Sequence, residues 1–217
     1  MIHFEGLSKW YKTKAGRNYI LKDVNITLPM DKSIGVLGRN GAGKSTFIRM
    51  LGGSELPKSG SIQSDLRISW PLGLQGGVQG QMSGRENARF ISRIHGYSDT
   101  RAMEDRVADF ADIGQYFDEP MKSYSSGMRS RVMLGITVAL DFQFDVLLID
   151  EITAVGDAAF RAKSERVLKE KFSSTKVIMV NHSMEQLRKF CDAGLLIRNG
   201  KLEYFDSLED AIVEYES

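Results

Sequence analysis

Gly38-Arg39-Asn40-Gly41-Ala42-Gly43-Lys44-Ser45 follows the pattern G-x-x-x-x-G-K-[ST], and no other segment restricts the possible folds as sharply. The apolar run Ile34-Gly35-Val36-Leu37 before it reads as a buried strand, and Lys44 to Leu51 after it as a helix stopped by Gly52-Gly53. Strand, glycine-rich turn and helix in that order let successive backbone N–H groups turn inward around phosphate oxygens at the positive end of a helix. Lys44 is placed to reach the β- and γ-phosphates, Ser45 to hold Mg²⁺ through its hydroxyl, and Thr46 to follow them on the first helical turn. A glycine-rich helix cap arising by chance would not carry all eight positions in this context. The sequence therefore predicts a chain that binds a nucleoside triphosphate.

The texture changes along the chain. Short apolar runs broken by Gly, Pro and Asn fill residues 1–72, among them Ile20 to Leu28, which alternates like a half-buried strand. From about Arg85 to Leu140 the pattern is helical, with Ala88, Phe90, Ile91 and Ile94 recurring on one stretch and a second amphipathic segment over Met103 to Ile113. The apolar runs Val146-Leu147-Leu148-Ile149, Val177-Ile178-Met179-Val180 and Leu195-Leu196-Ile197 then alternate with helices, as a mostly parallel α/β core requires.

The first of these late strands ends in Asp150-Glu151. Ligands of an open parallel sheet sit outside the carboxyl ends of its strands, so Asp150 is placed near Mg²⁺ and Glu151 near the γ-phosphate and the attacking water. Asp150 is expected to orient the metal's water shell, and Glu151 to act as general base. A strand leaving the core often ends in an acid for solvation alone; the upstream phosphate loop is what gives this pair its chemical meaning.

Between the two sites lies Tyr124-Ser125-Ser126-Gly127-Met128-Arg129-Ser130-Arg131, followed directly by the apolar-periodic helix Val132 to Leu140. Ser125 and Gly127 head a helix amino terminus, an anion site with a hydroxyl and backbone N–H groups, and Ser125 also suits a plain helix cap. The segment resembles the signature Leu-Ser-Gly-Gly-Gln of ABC-type ATPases. Tyr124, Ser126 and Met128 depart from that consensus, while the serine and second glycine stand. The order of phosphate loop, signature, Walker B carboxylates and a later histidine matches the family over essentially the whole chain.

The resemblance implies a P-loop NTPase of ABC type, an α/β fold with an antiparallel β subdomain and an inserted helical subdomain. Its expected extent is one domain over 1–217, with roughly 1–84 and 141–217 as catalytic core and 85–140 as helical subdomain. It implies ATP and Mg²⁺ as ligands. Gly38, Arg39, Asn40, Gly41, Ala42, Gly43, Lys44, Ser45 and Thr46 are then expected to hold the phosphates, Ser45 and Asp150 the metal, and Ser125 and Gly127 the ATP of a second subunit. His182, after the strand Val177–Val180, occupies the place of the switch histidine that contacts the γ-phosphate. Asp157 resembles the aspartate of the D-loop at the dimer interface. Of Trp10 and Tyr11, register favours Tyr11 as the aromatic that stacks on adenine, leaving Trp10 to packing. His3 and His95 have no such context.

A finer resemblance lies in Ser69-Trp70-Pro71-Leu72, the glycine and glutamine turn after it, Ser83-Gly84-Arg85-Glu86-Asn87, and Tyr-Ser-Ser-Gly-Met at the signature. These are similar to the ATP-binding subunits of capsule polysaccharide exporters of Gram-negative bacteria. In that pattern the catalytic Q-loop glutamine falls at Gln79, which is favoured on that ground over Gln75, the position to which spacing from Glu86 in the wider family points. The resemblance implies a homodimer driving a separate polytopic membrane permease from the cytoplasmic face of the inner membrane. Arg85 and Arg89 are read as exposed subdomain positions toward that partner. The 217 residues leave no room for the carboxyl-terminal sugar-binding domain that related O-antigen exporters often add.

Composition excludes other classes. Twenty-nine basic residues against twenty-eight acidic ones give a net charge of +1, without the basic face that nonspecific nucleic-acid binding demands. No segment approaches the roughly 18 apolar residues of a membrane span, so a membrane role runs through a partner. One cysteine, Cys191, rules out an intramolecular disulfide framework. No Asn-Lys pair occurs, as the guanine motif of a GTPase would need. An ABC exporter of another substrate, or a soluble ABC ATPase outside transport, is the alternative.

Overall fold

The computed structural model describes residues 1–14, 16–73, 78–140, 144–150, 157–173 and 175–217. They divide into two units, one of Met1–Leu72, Gln143–Glu151 and Phe172–Ser217, the other of Gly73–Phe142 and Ile152–Lys171.

The first unit is built around strand β3 (Ile34–Leu37), buried at all four residues. It lies inside a six-stranded sheet with β5 (Ile68–Gly73), β6 (Val146–Asp150), β7 (Lys176–Val180), β8 (Ala193–Arg198) and β9 (Lys201–Phe205), in the order β5-β6-β7-β3-β8-β9. β3 runs parallel to both β7 and β8, β6 runs parallel to β7, and β9 closes the edge antiparallel to β8. Strands covered on both faces need unbroken apolar runs, which is why Ile34–Leu37, Val146–Ile149 and Val177–Val180 do not alternate. Helix α7 (Leu208–Glu216) approaches β8 so closely that a Cβ on Gly194 would stand 2.2 Å from that of Ala211. Only glycine allows that approach.

A three-stranded antiparallel sheet of β1 (Ile2–Thr13), β2 (Gly16–Leu28) and β4 (Ser59–Ser64), with β1 in the middle, packs into the same core. Its inner face carries Ile2, Phe4, Leu7, Leu21, Val24 and Leu28, and its outer face is polar, the alternation expected of a half-covered sheet. Phe4 stacks on Phe47 of helix α1 (Lys44–Leu51), with ring centroids 5.8 Å apart.

The second unit is helical. α2 (Gly84–Ile94), α3 (Thr100–Ala111) and α4 (Ser126–Ala139) enclose a core of Ala88, Ile91, Met103, Val107, Phe117, Val132, Met133 and Ile136. Each has a side-chain cap: Ser83 with Glu86 in a reciprocal capping box, Asp99, and Ser125. Residues 158–171 of α5 (Ala158–Ser173) belong to this unit, although the late strands flank them in sequence. Phe160 of α5 meets Phe110 edge-on at 5.5 Å. Lys163 donates to the carbonyls of Asp109 and Phe110 near the end of α3, and Lys171 to those of Val138 and Leu140 at the end of α4. The two lysines thus satisfy orphan carbonyls at two helix carboxyl ends.

Candidate functional site

β3 delivers the chain into the turn 38–43, from which α1 starts at Lys44. Gly43 takes the left-handed backbone at φ +104°, and a Cβ there would lie 2.1 Å from Ile20 Cγ2. Ile20 reaches it because β2 carries one extra residue at this point, Lys9 pairing with Leu21 and Trp10 with Tyr19. A glycine cap offers no side-chain acceptor, and none caps α1, so the amino end of the helix presents its backbone donors as an anion site. Ala42 N–H closes the turn onto the Arg39 carbonyl at 3.0 Å. Lys44 folds over it, its Nζ donating to the carbonyls of Gly38 at 2.6 Å and Arg39 at 3.2 Å.

Across the sheet, Asp150 at the end of β6 pairs in register with Val180 of β7, which pairs in turn with Val36 of β3. The register brings the three carboxyl ends level, and Ser45 Oγ donates to Asp150 Oδ1 at 3.3 Å. A hydroxyl beside a carboxylate is an all-oxygen donor pair. It fits Mg²⁺, which keeps several waters and takes one or two carboxylates plus substrate phosphates. The described residues contain no cluster of three or more His, Cys, Asp or Glu that would suit a dedicated metal cage. His182 lies two residues beyond Val180 and is exposed, with buried Asn181 before it accepting from Ser183 N–H at 2.8 Å. Glu151 and Gln75 lie outside the described residues.

Tyr11 and Trp10 take different surroundings. Trp10 is half-buried on the β1–β2 hairpin between Tyr19, at 5.5 Å, and the Arg17 guanidinium, at 4.8 Å. Tyr11 faces α1: its hydroxyl lies 3.2 Å from Thr46 Oγ1 and donates to Glu55, while the side chain stays 39% exposed.

The remaining sequence-predicted residues fall in the helical unit. Ser125 is the cap of α4, its hydroxyl accepting from Met128 N–H at 3.2 Å, and Gly127 stands in the first turn with open space around it. Asp157 caps the start of α5 through Phe160 N–H at 2.8 Å and is ion-paired with Arg131 of α4 at 2.7 Å; the first contact and then the second hold its carboxyl below the usual range. Gln79 is exposed, and its backbone is clamped by Asn87, which accepts from Gln79 N–H and donates to the carbonyls of Gln79, Met82 and Ser83. Beside it a groove of about 440 Å³ is lined by Val78, Gly80, Met121, Arg129 and Met133. Arg85 and Arg89 are less available than the sequence suggests. Arg89 grips buried Glu104 with two hydrogen bonds of 2.7 and 2.9 Å, and Arg85 grips Asp118 in the same way, so both knit α2 to its neighbours. The exposed apolar side chains of α2 are Phe90 and Ile94.

The sequence profile of the family described as ABC transporter matches residues 21–154. The chain belongs to the ABC transporter family. Among relatives of this cassette, the polysialic acid transport ATP-binding protein KpsT of Escherichia coli is 45% identical over 99% of this chain and 96% of its own. The capsule polysaccharide export ATP-binding protein CtrD of Neisseria meningitidis serogroup B is 39% identical over 100% of this chain and 99% of its own. A solved structure of the ATP-binding cassette MJ0796, dimeric and bound to ADP and phosphate in a post-hydrolysis state, shares the fold. Its TM-score is 0.75 at 20% identity, over 96% of this chain and 99% of that one.

Two parts of the cassette escaped the sequence reading. Asn87 is fully buried with its amide spread over three carbonyls, and the Ser83-x-x-Glu86 box just before it was the readable sign that a fixed turn precedes α2. The carboxylate of Glu55, bound by Lys9, Tyr11 and Arg49, left no sign, because Lys9 and Tyr11 come from far upstream in the sequence.

Proposed function

We propose that this chain is the ATP-hydrolysing subunit of an exporter that moves a capsular polysaccharide across the inner membrane through a separate membrane-spanning subunit. The meeting of Ser45 and Asp150 beside the amino end of α1 carries the ATPase reading. The whole-length kinship to capsule and polysialic acid export proteins supports the cargo.

In this reading the turn 38–43 and Lys44 hold the triphosphate by backbone N–H groups and one ammonium. Ser45 and Asp150 hold Mg²⁺, which when bound neutralises phosphate charge. Glu151 takes the proton of the attacking water, with His182 and Gln79 near the γ-phosphate. Tyr11 offers its ring to the base. Two copies pair head to tail, and Ser125 and Gly127 at the start of α4 complete the partner's pocket. Hydrolysis removes the γ-phosphate that favours the closed pair, and this differential contact supplies the work. The groove beside Gln79 receives a segment of the membrane subunit, which keeps the cassette at the cytoplasmic face; no described helix is long and apolar enough to cross a membrane.

Glu151→Gln tests the chemistry: it binds ATP, loses hydrolysis by about 10²-fold or more, and runs as an ATP-dependent dimer on size exclusion. Turnover like that of the unaltered protein rejects the assignment. For the cargo, deletion in a polysaccharide-producing strain traps completed polymer in the cytoplasm, and normal surface polysaccharide with none retained inside rejects export.

A further inference from the structure

Four side chains beside the phosphate loop form a closed circuit of hydrogen bonds, and two of these residues, Glu55 and Arg49, have no part in the ATPase reading. Tyr11 Oη donates to Glu55 Oε1, Arg49 Nε donates to Glu55 Oε2 at 3.0 Å, Arg49 Nη2 donates to Thr46 Oγ1 at 3.2 Å, and Thr46 Oγ1 returns to Tyr11 Oη at 3.2 Å. Lys9 joins from β1. Its Nζ lies 2.7 Å from Glu55 Oε1, donates to the Leu56 carbonyl at 2.6 Å, and stands 5.5 Å from the centre of the Tyr11 ring.

We infer that Glu55 is the positioning residue for Tyr11, fixing its ring toward the nucleobase and tying it to α1 through Thr46. The inference rests on the reading of Tyr11 as the base-facing residue. Three features carry it. Lys9 is only 4% exposed, and an ammonium is buried to that extent only against a matching charge, so the Lys9–Glu55 pair is a built feature and not a solvated surface bridge. The hydrogen bonds of the circuit hold Tyr11 by its hydroxyl, Lys9 stands over its ring at 5.5 Å, and the residue stays 39% exposed. Trp10, one residue earlier, instead uses its ring for packing against Tyr19 and Arg17. Thr46 directly follows Ser45 on the first turn of α1, so the tyrosine is referenced to the element that holds the phosphates. A ring held in place before the ligand arrives avoids the ordering cost of a free side chain, and that saving appears as affinity for the base and not for the phosphates.

The test compares equilibrium binding of ATP with that of inorganic triphosphate, which has the phosphates but no base, to the full chain with Mg²⁺. Glu55→Gln and Tyr11→Phe each weaken ATP binding roughly threefold to tenfold and leave triphosphate binding unchanged. The double substitution is no weaker than either single one, because both break the same link. Tyr11→Phe removes only the hydroxyl, which keeps the test open should Glu55→Gln fold poorly around Lys9. ATP binding unchanged in Tyr11→Phe overturns the inference, as does a Glu55→Gln that loses ATP and triphosphate in equal proportion, since the carboxylate would then serve α1 alone. Tyr11→Ala separates the two levels: unaltered ATP binding there rejects the base-facing reading itself.

Discussion

Glu55 accepts from a lysine, a tyrosine and an arginine at once, and its charge is correspondingly hard to remove. Burial alone would raise its pKa, but the hydrogen bonds from Lys9, Tyr11 and Arg49 outweigh burial and hold it at about 2, against an ordinary 4.5. A carboxyl depressed in the folded state contributes stability in full above its unfolded pKa and loses it as pH falls toward the folded one. The melting temperature of Glu55→Gln therefore sits a constant interval below that of the unaltered protein from pH 7 to about 5, and the interval closes between about pH 4.5 and 2. Calorimetry across that range checks it, and an interval that does not narrow would assign the loss to packing. At this scale the sequence discloses residues whose partners are local or whose spacing repeats a known chemical pattern. The eight-residue phosphate loop and the Ser125 cap are of that kind. Glu55 and Asp145 are not: Asp145 reads only as part of a strand's start, yet it is pinned by the Arg67 guanidinium and backbone across the fold.

Among the elements, the start of α4 offers the cleanest separation of fold from function. A Cβ on Gly127 would find nothing nearer than Ser125 Oγ at 3.9 Å, and an acid in a first helical turn interacts favourably with the helix dipole. Gly127→Asp accordingly melts no lower than the parent, yet loses ATP-dependent dimerisation, because the carboxylate meets the partner's γ-phosphate. Mixing it with Lys44→Ala puts both lesions into one composite site and leaves the other intact. Dimerisation recovered in the mixture on size exclusion supports pairing across subunits, whereas a Gly127→Asp homodimer that forms normally rejects the role of the α4 start. Elements with strong periodicity were legible: α1 ends where Gly52 follows Leu51, and the three late apolar runs are all strands of one sheet. What periodicity could not convey is allegiance. Nothing in the pattern of residues 158–171 tells that they complete the helical unit, since their tie runs through Phe160 on Phe110 and through lysines reaching two distant helix ends.

For the whole molecule, the link to a membrane partner has better probes than Arg85 and Arg89, whose ion pairs make their loss a matter of stability. Phe90 and Ile94, one helical turn apart on α2, are 42% and 62% exposed. Serine at both leaves the basal ATPase of the purified chain near normal and reduces its stimulation by the reconstituted membrane subunit several-fold, because a surface without an internal partner is lost only when the outside partner arrives. Equal stimulation of variant and parent would confine the contact to the groove beside Gln79 and exclude this face of α2. The sheet order has a further consequence, for synthesis at the ribosome. β3 carries the chain into the phosphate loop, but its neighbours on both sides, β7 and β8, are encoded near the other end: Ile34 pairs with Ile178 and with Ala193. Strand pairing over so long a separation is slow to form, and domains are released from the tunnel amino end first. A nascent chain that has not yet exposed Lys176 owns the phosphate-loop sequence without the sheet that shapes it. Throughout most of its translation the chain holds β3 without either of its neighbours, so a shaped phosphate loop waits for the late strands, while β1, β2 and β4 can pair as soon as Ser64 has emerged.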